Sequence, residues 1–142
     1  MEHLHFHLVG AGPASTVSVW TDPSNGRRGA VKVVLGTDED QWPRIAADCL
    51  EIGDLADRAS IVPIHEIGVT DDGEPYLRMP YYERGSLVRF LGTTPLSPAQ
   101  AVGVGEPIAM ALVHLHARGL AHGAVHPRNL MIGSSGEVRL AD

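Results

Sequence analysis

Lysine occurs once in this chain. Of eleven basic residues ten are arginine, and the exception is Lys32. An ammonium on a flexible stem is a compact point charge that a planar guanidinium does not replace at every site. A chain that keeps one lysine among ten arginines marks it as the first candidate functional residue. Upstream, Gly10-Ala11-Gly12 follows a β-rich run and precedes Val17 in the next. Two glycines in a strand–turn–strand let backbone N–H groups approach a phosphate closely. Downstream, His122-Gly123-Ala124-Val125-His126-Pro127-Arg128-Asn129 gathers two imidazoles and an amide, and Asp142 ends the chain. A third group, His3, His5 and His7, projects from one face of an alternating run, and imidazole binds zinc or nickel well. No Cys, Asp or fourth His lies near them in sequence, so the simpler reading is the polar face of an edge strand. His114 and His116 cannot share a helix face, because i and i+2 diverge.

The elements that must position these groups are legible from periodicity. Residues His3 to Leu8 alternate with period 2, placing Leu4, Phe6 and Leu8 on one face, and Thr16 to Trp20 alternate again. Asp22-Pro23-Ser24-Asn25-Gly26 is a turn cluster with Asn-Gly as its hairpin signal, and Ala30 to Leu35 is a third β-rich run. This predicts a three-stranded antiparallel meander. Asp38 to Arg58 has helical spacing, with Ile45, Cys49, Ile52, Leu55 and Ala56 on one side. Ile61 to Val69 and Tyr76 to Tyr82 read as two further strands joined at Asp71–Pro75. Ser86 is placed to cap a short helix through Leu91. Ser97-Pro98 starts a helix that runs to Arg118 and stops at Gly119, with Pro107 inside it, where a kink or a break is expected. Leu130–Ile132 and Val138–Ala141 form a closing hairpin around Gly133-Ser134-Ser135-Gly136. Five strands with one inserted helix, then helices, then a hairpin, make an α+β pattern.

Composition bounds the function. The length of 142 residues suits one ordinary domain, and 44% apolar with 20% charged residues excludes intrinsic disorder as the default. No apolar run reaches the ~18 residues a membrane helix needs, and MEHLHFH lacks the basic and apolar regions of a secretory signal. A single cysteine, Cys49, makes no internal disulfide and fits a reducing, cytoplasmic setting. Eleven basic against seventeen acidic residues give a net charge of −6, which argues against nucleic acid as the main partner.

Taken in order, these segments resemble the eukaryotic-type protein kinase family in its bacterial Ser/Thr branch. Gly10 to Val17 looks like the glycine-rich loop, with Ser15 where the third glycine belongs. Ala30-Val31-Lys32 looks like the strand motif whose lysine pairs with the α- and β-phosphates of ATP. Met79-Pro80-Tyr81-Tyr82 is similar to the gatekeeper and hinge, where the Pro80 carbonyl and the Tyr82 N–H would bind adenine. The run from Ala111 to Gly119 resembles the end of the helix before the catalytic loop, and His122 to Asn129 occupies that loop. Leu140-Ala141-Asp142 looks like the run into the metal-binding motif. The resemblance implies an N-lobe with hinge over residues 1–82 and the first part of a helical C-lobe over 83–142. It implies ATP and Mg²⁺ as cofactors. Gly10, Gly12, Val17, Ala30, Lys32, Met79, Pro80 and Tyr82 would lie around the nucleotide, and Asn129 and Asp142 would hold the metal. His116 and His122 match positions that are structural in the family.

Three departures shape the functional expectation. The catalytic aspartate's position is Ala124, and alanine accepts no proton; losing a general base typically costs about 10²–10⁴-fold in rate. His126, two residues on, is the one nearby substitute. The glutamate partner of the lysine falls at Cys49 by ungapped counting from Ile61-Val62-Pro63, with Glu51 two residues on, and Glu51 is assigned. The chain ends at Asp142, whereas the family's domain is nearly twice as long. Helix 97–118 carries Ala101, Val102, Val104, Ile108, Ala109, Leu112 and Leu115, and the helix that would cover one side of it is absent. The expected function is therefore a pseudokinase with ATP-type nucleotide binding and little or no phosphotransfer. It would act through a protein partner or a homo-oligomer that covers this face. The alternatives are an active kinase or small-molecule phosphotransferase whose base is His126 or comes from a partner chain, and an interaction module without nucleotide.

Overall fold

The computed structural model describes residues 6–12, 14–55, 60–92 and 94–141. Its elements in chain order are β1 (Phe6–Ala11), β2 (Ser15–Thr21), β3 (Arg28–Val34), α1 (Trp42–Leu55), β4 (Glu66–Val69), β5 (Pro75–Pro80), α2 (Leu87–Leu91), α3 (Pro98–Ala117), a 3-10 turn (Pro127–Asn129), β6 (Leu130–Ile132) and β7 (Val138–Leu140). They divide into two compact units, Met1–Glu51 with Ile64–Tyr81 and Ile52–Pro63 with Tyr82–Asp142. Among the described residues no helix is long and apolar enough to cross a membrane.

The first unit is an antiparallel sheet in the order β1-β2-β3-β5-β4. The β2–β3 turn is fixed by Asp22, whose carboxylate accepts from the Ser24 N–H at 2.8 Å, the Ser24 hydroxyl at 2.6 Å and the Asn25 amide at 3.1 Å. Gly26 closes it at φ +70, a conformation that costs glycine nothing. The Ser24 hydrogen bonds hold the Asp22 carboxyl below its ordinary range.

Register then sorts the side chains, because paired residues share a face and neighbours alternate. Val17, Lys32 and Leu77 form one cross-strand row and Val19, Ala30 and Met79 the next row on the same face. Val19, Ala30 and Leu77, all buried, belong to it. The opposite face carries Trp20, whose indole lies directly over Gly29 and leaves no room for a Cβ there. The Arg78 guanidinium sits 5.8 Å from the Trp20 ring centroid and 3.2 Å from Glu66, and Glu66 accepts from the Tyr76 hydroxyl at 2.6 Å. That hydrogen bond raises the Tyr76 phenol above its ordinary value.

The expected five-stranded antiparallel arrangement with one inserted helix is the fold of this unit. Three elements depart most from their expected bounds. The first strand is Phe6–Ala11, and His3, Leu4 and His5 lie outside the described residues. The helix expected over 38–58 is Trp42–Leu55; Asp38 turns instead, its carbonyl accepting from the Gln41 and Trp42 N–H groups, and 56–58 lie outside the described residues. The strand expected over 61–69 is only Glu66–Val69. Pro63 offers no N–H for a ladder, and Ile61 and Val62 join the second unit. The Val62 N–H donates to Leu140 O at 2.9 Å, and the Arg139 guanidinium donates to Ile61 O at 3.1 Å.

The second unit is built on α3. Ser97 caps it with a reciprocal pair: the Gln100 N–H donates to Ser97 Oγ at 3.2 Å, and the Ser97 N–H donates to Gln100 Oε1 at 2.9 Å. Pro107 does not divide the helix, which runs through it as one element. The carbonyl left without a donor is that of Gly103, an exposed residue of the helix, so water can satisfy it. Gly119, at φ +73, ends the helix: its N–H donates to His116 O and the Leu120 N–H to Leu115 O, both at 3.0 Å. Ile108, Ala111 and Leu115 of α3 are buried with Leu55, Ile61, Leu87, Leu130, Ile132, Val138 and Leu140. Each such aliphatic removed from water contributes about 1.5–3 kcal/mol. Of the α3 residues expected to be left uncovered, Ile108 and Leu115 are core, Val104 and Leu112 pack against it, and Val102 is exposed. Met110 and Val113 are also exposed, so a wet apolar face exists but centres elsewhere on the helix.

Candidate functional site

In the first unit Lys32 stands mid-strand, opposite Val17 on β2 and Leu77 on β5. Its neighbour Ala30 lies opposite Val19 and Met79, so Val17, Ala30, Lys32 and Met79 share one sheet face. Pro80 ends β5 opposite Gly29, a place where the missing proline N–H breaks no inner ladder. A register shift between Leu8 and Gly10 sets Gly10 opposite Val17, so the glycine begins the same row that Lys32 continues. Neither Gly10 nor Gly12 uses a positive φ. What they supply is absence: a Cβ on Gly10 would meet nothing within 4 Å, and one on Gly12 would meet only Ser15 O at 3.9 Å. The Gly12 N–H is already spent, donating to Ser15 O at 2.8 Å to close the β1–β2 turn. Glu51 is exposed on α1, while Cys49, the residue reached by ungapped counting, is half-buried.

In the second unit the segment from His122 to Asn129 is pinned around residue 124. The Ala124 N–H donates to His122 Nδ1 at 3.1 Å, and the Asn129 amide donates to the Ala124 carbonyl at 2.7 Å. His122 Nε2 lies 2.8 Å from Ala141 O. A carbonyl only accepts, so Nε2 carries the proton and Nδ1 is the acceptor, and both bonds fit one neutral tautomer. Asn129 is buried at 9% exposure, its carbonyl accepting from the Ala141 N–H at 2.7 Å and its own N–H donating to His126 O at 2.8 Å. Gly123 turns the segment at φ +77. Residue 124 thus has both backbone groups held and an exposed methyl where a side chain would act.

His126 is not poised as a base. Its Nδ1 accepts from the Arg128 N–H at 3.1 Å and caps the 3-10 turn. A neutral imidazole has one acceptor nitrogen, and here it is in use. Tyr82 is half-buried and its carbonyl accepts from the Gly85 N–H at 3.0 Å; burial is the main cause of a raised phenol pKa. His116 is exposed rather than packed at the helix end. Asp142, His3 and His5 lie outside the described residues. Among the described residues no group of three or more His, Cys, Asp or Glu side chains could hold a metal ion.

Sequence reasoning named Asn129 and His122 but not the bonds that join them through Ala124. Histidine two residues before, and asparagine five after, a position of interest was the available signal. The Trp20–Arg78–Glu66–Tyr76 layer was missed, because it appears only when strand register sets Trp20 opposite Gly29.

A family model described as the protein kinase domain matches residues 4–142. The serine/threonine-protein kinase PknK of Mycobacterium tuberculosis is 31% identical over 136 residues, covering 94% of this chain and 12% of that protein. PknL of the same organism, also a serine/threonine-protein kinase, is 32% identical over 138 residues, covering 94% of this chain and 34% of its own length. The serine/threonine-protein kinase PrkC of Bacillus subtilis is 27% identical over 139 residues, covering 95% and 21% respectively. The chain therefore spans about a third or less of these curated relatives.

Proposed function

Because this chain belongs to the protein kinase domain family, in its bacterial Ser/Thr type, we propose that it is a pseudokinase: it binds an ATP-type nucleotide, transfers little or no phosphate, and acts through a protein partner. The observation that carries this reading is residue 124. Its backbone is held at both ends by His122 and Asn129, yet the side chain is a methyl that takes no proton. Absence of a general base lowers the rate by about 10²–10⁴-fold. His126 does not fill the gap, since its acceptor nitrogen caps the following turn.

The residues present fit the cofactor pair by donor chemistry. In the first unit Lys32 would neutralise phosphate charge, exposed backbone at Gly10 would leave room for it, and Val17, Ala30, Met79 and Pro80 would line the base. In the second unit Tyr82 would offer its backbone N–H to adenine. Asn129 and Asp142 would give oxygen ligands to Mg²⁺, a hard cation that keeps several waters and needs few protein donors. Bound Mg²⁺ would neutralise phosphate charge. Glu51 would steady Lys32. The single Cys49, which can form no internal disulfide, supports a reducing, cytoplasmic setting. Exposed Val102, Met110 and Val113 on α3 support an oligomer or partner that covers that face, which sedimentation at micromolar concentration tests.

The deciding experiment is a thermal-shift titration with ATP, with and without Mg²⁺, on wild type and Lys32→Met, together with radiolabelled phosphotransfer. The expected result is an ATP-dependent shift that weakens by ~1.5–3 kcal/mol in the variant, with no labelled product. Absence of any shift leaves the interaction module. Phosphotransfer that survives Asn129→Ala but is lost in His126→Ala promotes the active-enzyme reading.

A further inference from the structure

The net charge of −6 is not shared between the two units. The first holds eleven acidic and five basic residues and the second six of each, so the whole excess belongs to the first. Within the neutral unit, cationic groups collect at α2. Arg84 and Arg89 flank the start of this helix, both exposed. The Arg84 guanidinium lies 5.9 Å from the Phe90 ring centroid and donates to Gly133 O at 3.5 Å. Arg89 donates to Glu83 O at 3.4 Å. One N–H of each is thereby committed to a backbone carbonyl, which aims the fork while most of its five donors remain for another acceptor. Arg128 is exposed on the 3-10 turn that packs against α2.

The apolar residues of the same helix face water. Only Leu87 is buried; Val88, Phe90 and Leu91 are 46%, 40% and 41% exposed. Leu87 alone ties this five-residue helix to the unit's core; Val88, Phe90 and Leu91 stay wet, with Arg89 among them and Arg84 just before the helix. Arginine and aromatic residues side by side are the composition of protein-recognition hot spots, and a guanidinium held over a ring loses little freedom on binding.

We propose that the α2 surface formed by Arg84, Arg89, Val88, Phe90 and Leu91 is a docking surface for an acidic, apolar peptide segment of a partner protein. Carboxylates on the segment pair with the two guanidinium forks, and its aliphatic or aromatic side chains cover the three wet residues. Charge complementarity selects this occupant: the arginines repel a basic segment, and a purely apolar one offers no acceptor to their remaining donors. The proposal is independent of nucleotide binding.

A random peptide library displayed against the intact 142-residue chain tests it. The enriched peptides should carry Asp or Glu interspersed with Leu, Ile or Phe. A synthetic copy of the best one, followed by fluorescence anisotropy, should bind at least about tenfold more weakly to Arg84→Glu/Arg89→Glu and to Phe90→Ser, and more weakly as salt rises. Arg84→Gln/Arg89→Gln, with unchanged melting temperature, guards against a folding artefact, and the salt dependence of the wild type needs no variant. Enrichment of neutral or basic peptides, no enrichment at all, or affinity unchanged by the arginine substitutions would overturn the proposal. A wild-type dimer that Arg84→Glu/Arg89→Glu dissolves would overturn it too, since the occupant would then be a second copy.

Discussion

The clamp on residue 124 makes a prediction that separates hydrogen-bond geometry from mere burial. Asn129 is 9% exposed and donates to the Ala124 carbonyl at 2.7 Å. Asn129→Ala removes the donor, but Ala124 is exposed and water can reach its carbonyl, so the loss lies near the low end of the ~1–3 kcal/mol range for a broken buried bond. Asn129→Asp has nearly the same volume, yet it sets a carboxylate oxygen against a carbonyl oxygen, two acceptors in one contact. At neutral pH that buried, unpaired charge costs about 3 kcal/mol or more. Aspartate should therefore be the worse substitution by about 2 kcal/mol, although it is the closer mimic. The new carboxyl is pushed up in the folded state, because only the protonated form donates to Ala124 O. The folded state then holds the proton more tightly than the unfolded one. The penalty of the aspartate variant is full above the raised folded pKa, shrinks as pH falls through it, and is gone below the unfolded value of about 3.9. Urea midpoints of wild type and both variants, at matched pH from neutral to about 3.5, measure this directly, since every other carboxylate cancels in the differences. Equal stability of the two variants at neutral pH, or a gap that does not close on acidification, would refute the clamp.

Other outcomes follow from the same geometry. Gly29→Ala puts a Cβ into the Trp20 indole, so the ring must leave its seat; a loss of about 1–3 kcal/mol and a red-shifted tryptophan emission are expected, and unchanged emission would contradict the stacking. Leu115→Ala empties a fully buried position in the second unit's core and should cost about 2.7–5 kcal/mol by chemical denaturation, whereas Val113→Ala on the exposed side of the same helix should change stability little. Gly119→Ala forces an alanine to φ +73 and should cost about 1–2 kcal/mol in thermal unfolding. Tyr76, raised mainly by its bond to Glu66, and Tyr82, raised mainly by burial, should ionise above pH 10. The Tyr76 contribution to stability is full below the unfolded value near 10 and fades as pH rises through the higher folded value. The stability difference between wild type and Tyr76→Phe should therefore close only in strong alkali; closure near neutrality would disprove it.

What could be read from the sequence by itself was whatever depends on local repetition. Alternation in Thr16 to Trp20, the Asp22–Gly26 turn, the Ser97-Pro98 start and the Gly119 stop are each decided within a few residues, and the elements formed there. The ordered series from Gly10 through Lys32 to Asn129 carried the family likeness for the same reason: order along a chain needs no coordinates. Tertiary structure decided what depends on partners far away in sequence. Ile61 and Val62 have strand character, but they pair with Leu140 rather than with β5, and Pro63 interrupts the run. Pro107 is a local breaker that the packing of Ile108, Ala111 and Leu115 overrides. Gly29 lay outside the run read from Ala30 to Leu35, yet it belongs to β3, where register sets Trp20 over it. At the candidate site the residue types were legible and their commitments were not. Whether His126 is free to take a proton depends on where its ring turns, and that is fixed by the Arg128 N–H it caps, a bond that exists only once the loop is folded.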